Sequence, residues 1–106
     1  MTSEEFVKGF YLEKKKLLEL YFSPNATTLV GMQINDLKLS AEQAAKFKSI
    51  LDDALTDICY AILLGLDGMA QIGGIQESYE IYDESGNEIT SNEIEGYAWE
   101  YFHNKK

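Results

Sequence analysis

Arginine is absent from this 106-residue chain, and proline, cysteine, histidine and tryptophan occur once each. Without arginine's planar fork, tight bidentate clamping of phosphate has no donor, and the nine lysines act only as point charges. A single cysteine, Cys59, excludes an internal disulfide. Nucleophilic or acid–base catalysis usually needs a poised Cys or His with an orienting partner, so one of each leaves little material for it. Cys59 falls beside the apolar stripe of a helix and reads as a small buried hydrophobe, while His103 suits the last turn of a helix. Long hydrophobic runs are also missing: Ile58 to Leu66 is far shorter than the about 20 residues that cross a bilayer. The start, Met1 to Phe6, has neither the basic nor the apolar region of a secretory signal, and the expectation is a cytoplasmic protein.

Lysine and arginine are both absent from Leu51 to Asn104, a stretch that holds twelve Asp or Glu, whereas the first fifty residues carry seven Lys against six acids. The net charge is −9. Binding to nucleic acid or anionic lipid draws on cations that displace counterions, so neither is expected as a partner. A one-sided negative field steers basic partners instead.

With 45% hydrophobic residues the chain suits one domain spanning 1–106. Thr2 and Glu5 have capping-box spacing, predicting a helix from Thr2 or Ser3 to about Phe22 with Phe6, Phe10, Leu17 and Tyr21 inward, ended by Ser23-Pro24-Asn25. Lys14-Lys15-Lys16 reads as a solvated basic patch on that helix. Residues 26–39 are ambiguous: Thr28, Val30, Met32 and Ile34 alternate as in a strand, but Leu29 and Gly31 interrupt the pattern, which leaves a loop with a possible short strand. Ser40 and Gln43 form a second capping box ahead of a long helix to about Leu64, with Ala44, Phe47, Leu51, Ala54, Leu55, Ile58 and Ile62 as its stripe.

Beyond Gly68 the pattern becomes extended. Gly73-Gly74 fits a two-residue hairpin turn, and Asp83 to Gly86 fits a type I turn closed by a left-handed glycine, predicting a three-stranded antiparallel meander ending at Thr90. A last helix is expected from Ser91 or Asn92, capped by the Asn92–Glu95 pair, to about His103, with Ile94, Tyr97, Ala98, Tyr101 and Phe102 inward. The expected fold class is α+β, helix, helix, meander, helix, with helices on one face of a small sheet.

No diagnostic chemistry emerges. Asp83 to Glu88 lacks the ligand spacing of a calcium loop, and no Lys-Ser/Thr follows the glycines as a phosphate loop requires, so no metal or cofactor is expected. What stands out is acids and aromatics that local structure does not demand. Asp53 and Asp57 form a like-charge i,i+4 pair, either a solvated face or a docking patch. Trp99 lies about 130° from the centre of the last helix's stripe, flanked by Glu95 and Glu100, which leaves two readings of equal weight, outward-facing or packed against the meander or first helix. Tyr82, Asp83 and Glu84 cluster at the meander tip. Aromatics anchor interfaces, and acids around them orient and accelerate association.

The segments Leu63-Leu-Gly-Leu-Asp-Gly68, Ile72-Gly-Gly-Ile-Gln76, Tyr79-Glu-Ile-Tyr-Asp-Glu84 and Glu95-Gly-Tyr-Ala-Trp-Glu-Tyr-Phe-His103 resemble a group of small acidic bacterial proteins, similar in size and charge to immunity proteins. The resemblance covers roughly residues 36–103 and implies no catalytic residue. The expectation is a non-enzymatic binding protein that occludes a basic partner, such as a toxin, through Asp53, Asp57, Tyr82, Asp83, Glu84, Glu95, Trp99 and Glu100. One alternative is a homo-oligomer, in its simplest form a homodimer, in which the Lys14–Lys16 face of one copy meets the acidic half of another. The other is a small carboxylate-dependent enzyme working around His103.

Overall fold

The computed structural model describes residues 1–90 and 92–104. Helix α1 spans Ser3–Tyr21, α2 Leu29–Asp36, α3 Ala41–Leu66 and α4 Ile94–Trp99, and a π-helical turn, Glu100–Asn104, continues α4. The described chain is 62% helical and contains no strand, so the expected α+β fold with a three-stranded sheet is incorrect. The residues divide into two compact units, Met1–Tyr11 with Thr56–Lys106, and Leu12–Leu55.

Both expected capping boxes form. Thr2 N donates to Glu5 Oε1 at 2.8 Å and Glu5 N to Thr2 Oγ1 at 3.1 Å; Ser40 N donates to Gln43 Oε1 at 2.9 Å and Gln43 N to Ser40 Oγ at 3.1 Å. Reciprocal bonds of this kind satisfy two of the amides that a helix start leaves unpaired. At the other end of α3, Gly68 (φ 78°) closes a Schellman motif, its N–H bonding Gly65 O and the Met69 N–H bonding Leu64 O.

The meander fails for a traceable reason. Its turns form: Gly73 and Gly74 both have positive φ, with Ile72 and Ile75 exchanging backbone hydrogen bonds, and Gly86 (φ 86°) closes the Asp83 turn. The pairing does not spread beyond them. Every residue from 71 to 80 is exposed, so strand alternation there would bury no face and would not offset the cost of ordering the backbone. At the second turn, Ile89 N donates to Ile81 O at 2.7 Å, but the return bond is diverted: Ile81 N donates to Thr90 Oγ1 and Ile89 O accepts from Ser3 Oγ. Two isolated bridges, Ile72 with Ile75 and Tyr82 with Glu88, are what remains.

Within segment 26–39, Leu29–Asp36 form α2 rather than a loop or short strand. Thr28 caps it, its Oγ1 accepting from Gly31 N at 3.0 Å, and the buried positions, Gly31 and Ile34, are three apart as on a helix rather than alternate. Helix α4 begins at Ile94 without the expected side-chain cap. Asn92 takes a left-handed conformation (φ 67°), and the Glu95 amide is bonded by Asp67 Oδ2 from the end of α3; Ser91, the other expected start, lies outside the described residues.

The core of the first unit is Val7, Leu63, Ile89, Ile94, Ala98, Tyr101 and Phe102. Adjacent Tyr101 and Phe102 are both buried, which the wider π-turn favours because it reduces the angle between neighbouring side chains. Tyr11 packs edge-on to Phe102, and the Tyr101 hydroxyl donates to Glu4 Oε2 at 3.0 Å. The second unit buries Leu18 and Ile34, with Phe22 edge-on to Phe47. Lys14 is not part of a solvated basic patch: its side chain is 4% exposed and its ammonium forms an ion pair with Asp52 Oδ1 at 2.8 Å.

Candidate functional site

Twelve of the eighteen acids but only three of the nine lysines belong to the first unit, so that unit carries the entire net charge of −9 and the second is neutral. Seven of the eight sequence-selected residues fall in the first unit; Asp53 falls in the second, exposed on α3 one helical turn before the exposed Asp57.

Tyr82, Asp83 and Glu84 come together at one surface pocket of about 540 Å³, which Phe6, Ile81 and Ile89 line with apolar surface. Within this group the roles differ. The Asp83 carboxylate accepts from the Met1 amino group at 2.8 Å, from Ser85 N, from Asn87 N and from Asn87 Nδ2. These donors, the amino group first, hold it well below the usual carboxylate range, and the Met1 amino group is in turn raised chiefly by its hydrogen bond to Asp83. Asp83 therefore shapes the turn, while Tyr82, 53% exposed, and Glu84 project from it. The charges of Glu80 and then Glu88 raise the Tyr82 phenol, whose hydroxyl meets Glu80 Oε2 at 3.4 Å.

On α4, Ile94 and Ala98 point inward, leaving Glu95 exposed and Trp99 53% exposed, the outward-facing of its two readings. Glu100 lines a separate shallow pocket of about 390 Å³ with Glu93 and Tyr97. The first α4 turn is positioned by Asp67, a residue to which the sequence assigns no role. It is 8% exposed, with Oδ2 on the Glu95 amide and Oδ1 lacking a hydrogen-bond partner. No local signal links it to a helix 28 residues later.

His103 is exposed on the π-turn and packs edge-on to Tyr60, ring centroids 4.4 Å apart. Cys59 is half-buried against the core cluster. Among the described residues no cluster of His, Cys, Asp and Glu is arranged to hold a metal ion, and no helix is long and apolar enough to cross a membrane. No protein-family model, curated protein or solved structure matches the chain.

Proposed function

We propose that this chain is a non-enzymatic binding protein that docks the acidic, aromatic-bearing surface of its first unit onto a basic protein, acting as an inhibitor or immunity protein that occludes the partner's cleft. The observation that supports this reading most strongly is the confinement of the whole net charge to the unit that also exposes Tyr82 and Trp99. Such a field raises the encounter rate with a cationic surface, and half-exposed aromatics supply contact area at low conformational cost. Glu84, Glu95, Glu100 and Asp57 provide the charge; Asp83, already satisfied internally, holds Tyr82 and Glu84 in place.

The test is capture on the immobilised chain at low and high salt, followed by association kinetics with the protein recovered. A basic protein should be retained at low salt. The triple variant Glu84→Gln, Glu95→Gln, Glu100→Gln should slow its association about tenfold while dissociation changes less, and Trp99→Ala should chiefly speed dissociation. An association rate indifferent to both salt and the triple variant would remove the electrostatic docking mechanism.

A further inference from the structure

Helix α2 turns much of its apolar surface outward. Leu29 is 68% exposed, Met32 47% and Leu37 58%, whereas the buried side is Gly31 and Ile34. Leu29, Gln33 and Leu37 are spaced i, i+4, i+8 and share one stripe. Leu37 carries that stripe into an apolar groove of about 310 Å³, where it is joined by Leu39, Phe47 and Ile50 with Lys46 at the edge. All of this surface belongs to the neutral second unit.

We propose that this α2–α3 face is where two copies of the chain associate as a symmetric dimer. Charge selects the occupant. The first unit, at −9, would repel its own copy, but the second unit balances six acids against six lysines. A two-fold interface sets each patch against itself, so neutrality and the presence of both signs beside the apolar stripe, Asp36 and Glu42 with Lys46, allow reciprocal pairs. Area points the same way: Leu29, Val30, Met32, Leu37 and Ile50 together expose on the order of 450 Å² of side chain, more than half of the ~800 Å² that each partner contributes to a standard interface. This pairing differs from a contact between the Lys14–Lys16 face and the acidic half, because Lys14 is buried. It does not depend on the docking role of the first unit, and a dimer would carry two acidic units.

Light scattering and sedimentation of the full chain across micromolar to millimolar concentration provide the test. The expected species has twice the 12.0 kDa chain mass and persists at about 1 M salt, where charge pairing is screened within ~3 Å. Ile50→Lys should weaken the dimer by at least roughly tenfold, since it would bury an unpaired charge. Leu29→Glu should do the same, and it keeps the fold because an acid in the first turn suits the α2 dipole. Circular dichroism confirms that each variant is folded. A monomer throughout the range overturns the proposal, as does a dimer that dissociates in salt or survives both substitutions in folded protein.

Discussion

The same substitution, Gly→Ala, should have opposite effects in α1 and α2. A Cβ at Gly9 meets nothing within 4 Å, so Gly9→Ala only removes the backbone entropy that glycine loses in a helix, a gain of about 0.5–1 kcal/mol. A Cβ at Gly31 would stand 2.6 Å from Ala26 Cβ, 2.9 Å from Thr28 Oγ1 and 3.2 Å from the Leu20 carbonyl oxygen. Carbon atoms pack at about 3.5–4.0 Å, so the Ala26 backbone must move by about an ångström, and overpacking of that kind costs about 1–3 kcal/mol. Pushing aside the Thr28 hydroxyl also threatens the cap of α2, worth about 1 kcal/mol. Set against the same intrinsic gain, the balance for Gly31→Ala is a loss of about 1–3 kcal/mol. At ~4–8 °C per kcal/mol for a domain of this size, the two variants should melt on opposite sides of the parent, separated by about 6–30 °C. Thermal unfolding by circular dichroism reads this directly. If Gly31→Ala melts as high as Gly9→Ala, the close seat of α2 does not exist as described.

Three further outcomes follow from the structure. Lys14→Met, which keeps the buried stem but leaves the buried Asp52 Oδ1 without its cation, should lose about 1–3 kcal/mol in chemical denaturation, and Lys14→Ala, which removes stem and charge together, should lose more; equal losses would show that the charge, not the stem, matters. Asp67→Ala should cost about 1 kcal/mol and speed hydrogen exchange at the Glu95 amide, and unchanged exchange would rule out Asp67 as the cap of α4. The Asp83 turn should be pH-sensitive at both ends of the scale. Asp83, lowered in the folded state, contributes above the ordinary carboxylate pKa and loses that contribution only as pH falls below that range. The Met1 amino group, raised, contributes below its ordinary pKa and loses that as pH rises through the folded value. Amide resonances of Ser85 and Asn87 should therefore stay fixed from about pH 5 to pH 3 and move above about pH 8. Movement in the ordinary carboxylate range would contradict this pairing.

Local chemistry was legible at several sites whose partners lie within a few residues, although the Asn92–Glu95 cap did not form and the Thr28 cap of α2 went unforeseen. The boxes Thr2–Glu5 and Ser40–Gln43, the glycine turns at 73–74 and 86, and the inner face of α4 are properties of short stretches, and they form as the sequence implies. Trp99 points outward because its position on the wheel leaves it no place in that face. The acidic bias was visible at once, but only the division of the chain into units shows that Asp53 parts from the other candidates.

What tertiary structure decided is the fate of groups whose partners are distant in sequence. Extension of the two hairpin turns into a sheet needed a buried face for residues 71–80 and an unclaimed bond pair at Ile81 and Ile89, and the fold supplied neither. Lys14 was assigned to solvent from its lysine neighbours, but burial of its stem and a carboxylate 38 positions away outweigh that local reading. The start of α4 passed from Asn92 to Asp67 because a helix amide N–H donates to whichever oxygen the packed chain brings to it. Short-range hydrogen bonding is encoded by spacing, whereas burial and long-range pairing depend on which surfaces the folded chain brings into contact.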